Sequence, residues 1–508
     1  MALQAIALLI TLLGILFLYK IIRPSNPRIA PLPPGPKPKL FIGNLSDLPP
    51  AGEKEWLHWA KHKDLYGPIS SIRLLTQTII IINDMSLAFE ILEKRSVIHS
   101  SRPRFVFAND LVGWDKALSS QNYTPLFRAY RKAVGRVMGS RKSVAQFDGL
   151  QEMESEKFLL RLLKQPENFK KHIRTEVVTA VLKMTYGYSV SDNDDPLLAL
   201  ADQALAEFSK AAMPGAWLVD IIPALKFIPE WMPGAGFKKT ARAFRQTTLE
   251  STRVGLDFTK KEMATGKHIP SFTSNALEAG EDEEIVKWSS FALYGGGADT
   301  IISTLKCCFL ALILNPEVQR RAQEEIDRVV GSERLPTAKD RDNLPYVDAI
   351  VKETLRWQPI APLGLPHTAD QDDVVEGFLI PKGAILLANI WLFNHDPSIY
   401  NDPSIFNPSR FMPTETYAAQ PDPHNVTFGF GRRICPGRIF ADTFLFLTIA
   451  QTLSVFSLSQ PVDEDGKVLE QVVDFEPGIV TRPVDYKCNF TPRSPRHEQL
   501  IREIETEA

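Results

Sequence analysis

Cysteine is scarce: the 508 residues hold four, Cys307, Cys308, Cys435 and Cys488, and no pair is spaced CxxC. That pattern excludes a disulfide scaffold and a structural zinc site with the usual ligand spacing. Neither sign of charge dominates. The 58 Lys and Arg face 60 Asp and Glu, a net charge of −2, so a whole-chain basic footprint for nucleic acid is absent. Internal repeats and low-complexity tracts are missing too, so the chain is not a repeat array. What remains is a globular composition, 44% hydrophobic and 23% charged, long enough for one very large domain or two to three ordinary ones.

The apolar residues are unevenly placed. Ala2 to Tyr19 is almost wholly apolar. That length suits a spanning helix of about 20 residues rather than a signal-peptide core of about 7–15. Lys20, Arg23 and Arg28 follow directly, and positive charge stays on the cytosolic side. Residues 2–19 are therefore expected to be a single-pass transmembrane anchor with the body in the cytosol; a cleaved signal peptide is the alternative. The N-x-S/T triplets at Asn44, Asn122, Asn425 and Asn489 would then go unglycosylated. Residues 20–40 form a linker whose proline-rich run, Arg23 to Leu40, reads as a stiff extended spacer. The body is residues 41–508.

Within the body, Ile69–Leu75 and Thr78–Asn83 have strand character, the second with four consecutive isoleucines. Most of the remaining chain has helical period. Pro316–Val330 is the clearest helix, with Asn315 as its cap, proline at its first position and Gly331 beyond its end. Before it an apolar segment from about Ile285 to Leu314 predicts a helix of about 45 Å, enough to cross a domain. Val374–Ala388 and Val468–Phe490 read as short strands between turns. The expected fold class is mainly α with a small β portion.

One segment carries chemistry: Phe428-Gly429-Phe430-Gly431-Arg432-Arg433-Ile434-Cys435-Pro436-Gly437-Arg438, opening a helix Ile439–Leu453. Gly431 and Gly437 let the backbone turn tightly beside a flat object. Cys435 precedes a helix N-terminus, whose positive end stabilises a thiolate, and backbone N–H groups there can donate to the sulfur. Arg433 is placed to meet an anionic group, and Phe428 to screen the sulfur from water. A buried structural cysteine in a glycine-rich turn is the bland alternative. Five positions, F-x-x-G-x-R-x-C-x-G, match at once, and in this the chain resembles the cytochrome P450 superfamily.

The resemblance runs the length of the chain. Glu353 and Arg356 resemble the family's E-x-x-R pair, which shares one helix face, and Arg410 in Phe406-Asn407-Pro408-Ser409-Arg410-Phe411 would complete a Glu–Arg–Arg structural network. Gly295-Gly296-Gly297-Ala298-Asp299-Thr300 is expected to interrupt the long apolar helix, since interior glycines cost about 1 kcal/mol each. By resemblance Thr300 would hydrogen-bond the oxygen being activated and Asp299 would relay protons; a helix-packing glycine face is the alternative. Phe127-Arg128-Ala129-Tyr130-Arg131 resembles the family's W-R-x-x-R helix with phenylalanine in place of tryptophan. An indole donor to a haem propionate is thereby lost, and Arg131 stays the expected propionate partner. His367 resembles a further propionate-contacting position, with a structural histidine as the alternative.

The resemblance implies a single large P450-fold domain over 41–508 binding haem b (iron protoporphyrin IX), with Cys435 as axial iron ligand. It implies a monooxygenase anchored in the endoplasmic reticulum membrane and facing the cytosol, of the type found in fungal secondary metabolism. Electrons would come from NADPH through a separate cytochrome P450 reductase, docked on a basic face of Arg128, Lys132, Arg432 and Arg438, unless these are simply solvated charges. Substrate-lining segments fall at Ser100–Tyr123, near Phe291–Gly295, at Pro362–Leu365 and around Gly478–Thr481. Phe105, Phe107, Leu111, Val112, Phe291, Leu363, Leu365 and Val480 make them apolar, which suits a small polycyclic terpenoid, polyketide or alkaloid. Two other functions compete: a haem-thiolate isomerase or dehydratase that does not use O2, and a non-enzymatic haem sensor. Finally, Trp217, Phe227, Trp231 and Phe237 lie among four prolines in Met213–Phe237. They are either core residues or a second membrane contact.

Overall fold

The structure, a computed structural model, describes residues 29–40, 42–50, 52–74, 77–190, 195–212 and 216–507. The expected anchor at 2–19 lies outside them. Two of the described helices, Glu283–Leu314 and Arg438–Val455, have the length and apolarity of membrane spans, but both are mostly buried inside the protein and are core helices. The expectation of a mainly helical chain with a small β portion is borne out.

The described residues pack as two compact units, each assembled from separated stretches of sequence. The first comprises residues up to Pro103, Leu363–Leu392 and Phe430–Arg432; the second comprises Arg104–Pro362, Phe393–Gly429 and the chain from Arg433.

The first unit is built on a four-stranded sheet. Ile69–Leu74 pairs antiparallel with Gln77–Ile82, Ile69 opposite Ile82. Gln77–Ile82 runs parallel to Ile385–Ala388, Ile79 opposite Ile385, and His367–Thr368 closes the far edge against Leu386 and Ile385. Ile80, Ile81 and Ile82 are wholly buried, as a strand covered on both faces requires. The helix Glu55–Tyr66 buries Trp56 and Trp59. Asn83 and Asn389 donate to the carbonyls of Trp59 and Trp56 at 2.8 and 3.0 Å, tying it to the sheet. The described part of the linker is not a free spacer. Ser71 N and Oγ donate to the carbonyls of Pro34 and Pro33 at 2.8 and 2.6 Å, and Leu379 N to that of Pro31 at 2.7 Å. Proline keeps these residues extended and leaves their carbonyls for the sheet. A Cβ on Gly35 would lie 1.9 Å from the Ser71 carbonyl oxygen, so only glycine allows the approach.

The second unit is organised around the helix Glu283–Leu314, capped by Asp282, which accepts from Ile285 N at 3.1 Å. Against it pack Phe169–Tyr186, Pro345–Trp357 and Arg438–Val455. The three glycines do not break this helix, contrary to the sequence expectation; it runs unbroken through Gly295–Gly297. The compensation is packing. A Cβ on Gly297 would meet Val181 at 3.4 Å, and one on Gly295 would meet Leu205 at 3.4 Å. The missing side chains therefore let two neighbouring helices approach. The helix Pro316–Val329 follows with proline at its start. Asn315 does not cap it: its side chain donates to the Ala311 carbonyl at 2.8 Å and closes the preceding helix instead. The expected strands in Val468–Phe490 reduce to isolated bridges ahead of a short strand, Asn489–Pro492, which pairs with Phe456–Ser459.

Candidate active site

Cys435 sits on a turn closed by its own backbone. Its N–H donates to the Phe428 carbonyl at 2.8 Å, and Gly429 N donates to Val426 at 3.0 Å. Three residues on, the helix Arg438–Val455 begins, and the N–H groups of Gly437 and Arg438 point at the sulfur. Burial pushes the Cys435 thiol up. The Gly437 N–H, the Arg131 and Arg438 charges and the Arg438 N–H all pull the other way. A bound metal cation deprotonates a coordinating thiol outright, so the donors are arranged to serve a thiolate. Cys307, Cys308 and Cys488 are buried with thiols pushed up by burial and lack those donors.

Arginines surround this turn. In the helix Pro125–Met138, capped by Thr124, Arg131 donates to the Ile434 carbonyl at 2.8 Å. Burial lowers its pKa, while the neighbouring sulfur raises it. Arg433 donates to the carbonyls of Gln121 and, at 3.4 Å, Leu118. Its guanidinium lies 3.9 Å from the centre of the Phe127 ring. The phenylalanine that replaces tryptophan thus loses an N–H donor but supplies a face for this cation. Arg433 is buried and Arg131 half-buried, and two cations so placed beside the cysteine turn are what an anionic cofactor edge requires. A Cβ on Gly437, or on Gly296 of the long helix, would meet nothing within 4 Å. The room and charge suit a flat, anionic macrocycle.

Thr300 lies on the same helix as Gly296, and its hydroxyl donates to the Gly296 carbonyl at 3.0 Å. Asp299 is half-buried beside it. Deeper in this unit Arg356 grips Glu353 through two bonds of 2.8 Å, and Arg410 reaches the same carboxylate at 3.0 Å, all three side chains buried. Of the expected apolar residues, Phe105, Phe107, Leu111, Val112 and Phe291 join one buried aromatic cluster, whereas Leu363 packs in a separate one and Leu365 is exposed. Phe107 stacks on Trp217, with ring centroids 3.6 Å apart, and Trp114 packs between Phe208 and Phe291. Trp114 lies within the expected Ser100–Tyr123 segment, whereas Phe208 and Phe244 carry no sequence signal of a site and only long-range packing reveals them.

In the first unit, His367 Nδ1 donates to the His99 carbonyl at 2.7 Å, which leaves Nε2 unprotonated while the ring is neutral. Arg102, which no motif marks, donates to the carbonyls of Leu365 and Pro366, each at 2.7 Å. Burial lowers its pKa to about 10. It thus places a cation next to the strand that begins at His367. Gly431, with φ +52°, packs where a Cβ would strike the Leu92 carbonyl at 2.5 Å, and its N–H donates to Glu93.

A helical core with a cysteine presented to backbone N–H donors at a helix start, ringed by cations, defines a haem-thiolate protein. Comparison with known proteins gives the family. The Cytochrome P450 family profile matches residues 33–490, and the chain belongs to that family. It is similar to the cytochrome P450 monooxygenase claR of Ampulloclitocybe clavipes, 46% identical over 96% of this chain and 91% of the relative. It is also similar to the cytochrome P450 monooxygenase ppsD of Aspergillus oryzae, 44% identical over 93% and 91%. The O-methylsterigmatocystin oxidoreductase of Aspergillus flavus is 40% identical over 98% and 94%. The protein is therefore an oxygen-incorporating oxidoreductase that binds haem through a cysteine thiolate, and Cys435 lies where the family carries that ligand.

Proposed function

We propose that the protein hydroxylates, or similarly oxidises, a small apolar polycyclic metabolite of terpenoid, polyketide or alkaloid type. NADPH–cytochrome P450 reductase supplies the electrons, and the protein acts at the endoplasmic reticulum membrane. The observation that carries this reading is the Cys435 sulfur facing the Gly437 and Arg438 N–H groups among Arg131 and Arg438. Bound haem supplies the iron at which O2 is activated, and the thiolate favours O–O cleavage. The protein's residues do the rest. Arg131 and Arg433 hold the carboxylate edge of the macrocycle. Phe428 and Gly431 shape the proximal turn, and Gly437 leaves it room. Thr300 carries a hydroxyl that already donates to Gly296 and can turn toward an incoming oxygen, with Asp299 passing protons from solvent. Phe107, Val112, Trp114 and Phe291 are buried and apolar; they select the substrate by shape and exclude water. Arg128 and Lys132 are exposed on one face of their helix, four residues apart, and offer an acidic reductase domain its contact.

The ligand assignment is tested by Cys435→Ser. The carbon-monoxide complex should lose its thiolate-type Soret band and turnover should stop; a variant keeping both refutes Cys435 as ligand. Product analysis with the reductase over a panel of polycyclic scaffolds tests the substrate class.

A further inference from the structure

Eleven residues before the cysteine, His424 is held between two carboxylates. Its Nδ1 lies 2.6 Å from Asp422 and its Nε2 lies 2.9 Å from Asp442. A neutral imidazole has one N–H and one lone pair, so with both nitrogens facing carboxylates only the imidazolium satisfies both contacts. The contacts continue into a closed ring. Asp442 accepts from Arg341 at 2.6 Å, and Arg341 donates to Asp348 at 2.8 Å. Lys352 lies 3.0 Å from Asp348 and 3.7 Å from Asp422, which returns to His424. Three carboxylates thus alternate with three cations, and the charges balance only when His424 is protonated.

The ring spans the chain on both sides of the ligand. Asp422 and His424 lead into the cysteine turn, while Asp442 lies in the helix Arg438–Val455 that leaves it. Asp348 and Lys352 come from the helix that carries Glu353 and Arg356. The His424 ring also stacks on Phe428, with centroids 5.6 Å apart and planes 26° from parallel, and the Phe428 carbonyl accepts the Cys435 N–H.

We propose that His424 is a positioning residue of the haem-thiolate site: as the third cation of this ring it clamps Phe428 and the cysteine turn against the helix that follows. The inference rests on Cys435 being the ligand. Burial works against the His424 charge, but Asp422 and Asp442 outweigh it and hold its pKa up to about 9. The remaining groups on the ring are Arg341, whose guanidinium also covers Phe446, together with Lys352 and Asp348. The neutral Tyr400 hydroxyl, bonded to Pro421, faces Asp422. The folded pKa lies above the ordinary value of 6.5, so the stabilisation is complete below pH 6.5 and is lost as pH rises through about 9.

The test uses the full haem-loaded protein and follows the thiolate-type Soret band of the carbon-monoxide complex with time from below pH 6.5 to above 9. The wild type should lose the band faster as pH climbs through that window. His424→Gln should lose it about tenfold faster at neutral pH and show no further dependence across the window. His424→Arg, which keeps the charge, should recover part of the difference. Far-ultraviolet circular dichroism at each pH separates the turn from the fold: ellipticity should persist while the band is lost. A glutamine variant with the wild-type rate and pH profile overturns the proposal, as does ellipticity falling in step with the band. Should His424→Gln fail to take up haem, Asp422→Asn serves in its place. Its band loss should begin at lower pH than the wild type's, and an unmoved midpoint overturns the proposal. A wild type that shows no thiolate-type band, or a Cys435→Ser variant that keeps it, refutes the ligand assignment; failure of the histidine variants alone leaves that assignment standing.

Discussion

Glu353 holds Arg356 through two N–H···O bonds of 2.8 Å, with neither side chain exposed to water. Arg410 adds a second guanidinium to the same carboxylate, so two buried cations share one anion. The excess charge is spread over backbone: Arg356 also donates to the carbonyls of Asn394 and Pro403, and Arg410 to that of Asn401. Glu353→Gln keeps the shape but leaves both cations without their anion. Breaking a buried pair in this way costs about 3–5 kcal/mol. The expected outcome is a large fall in the urea midpoint and in haem content per chain. A midpoint within error of the wild type would show that the carbonyls alone hold the two arginines.

Thr300→Ala removes a hydroxyl that donates to Gly296 and lies within the long helix. If that hydroxyl serves oxygen activation, NADPH oxidation should continue while product per NADPH falls and hydrogen peroxide rises. Stability should change little, because the lost bond is an intrahelical one worth about 1 kcal/mol. Unchanged coupling of NADPH to product would remove Thr300 from the proposed proton route.

Glu176 offers a pH test away from the site. It lies wholly buried in the helix Phe169–Tyr186 and accepts a bond from Thr448 at 2.7 Å. Burial pushes its pKa up to about 8, with the Thr448 bond opposing. A carboxyl with a raised folded pKa stabilises the protein fully below its unfolded value, and that contribution is lost as pH rises toward about 8. The slope is up to about 1.4 kcal/mol per pH unit. Glu176→Gln should flatten the dependence of the urea midpoint on pH between about 5 and about 8 and should match or exceed the wild type at the alkaline end. An unchanged slope would mean the carboxyl is ionised in the fold.

Much of this was legible in the sequence where local chemistry repeats a rule. The cysteine turn, the strand of four isoleucines and the proline-started helix at Pro316 each announce themselves over a few residues. Where structure and sequence pattern differ, the cause lies at long range. The glycine triplet looked like a helix break because its cost is local, whereas its compensation, Val181 and Leu205 filling the space, comes from helices about a hundred residues earlier. Residues 31–36 read as a spacer because proline excludes helix; that their carbonyls would serve a sheet depended on partners elsewhere. The charge ring around His424 draws on residues from 341 to 442 and has no motif. Phe208 and Phe244 likewise gain meaning only from what packs beside them.

The segment around Trp217 and Trp231 divides between the two roles the sequence left open. Trp217 lies flat on Phe107, its indole donates to the Lys210 carbonyl at 3.0 Å, and Asp220 accepts from Phe107 N at 2.8 Å. Phe237 packs into the same cluster. These two aromatics belong to the core. Phe227 and Trp231 are 77% and 80% exposed, with Leu218 and Ile222 also exposed nearby. Exposed tryptophan and phenylalanine among apolar neighbours suit the membrane interface. The two groups should therefore respond oppositely. Trp217→Ala should lower stability by about 2 kcal/mol, read from the urea midpoint. Trp231→Ser with Phe227→Ser should leave that midpoint in place. In a chain lacking Met1–Tyr19, the double substitution should reduce co-sedimentation with phosphatidylcholine vesicles, whereas Trp217→Ala should not. If the truncated wild type ignores the vesicles, Phe227 and Trp231 make no second membrane contact.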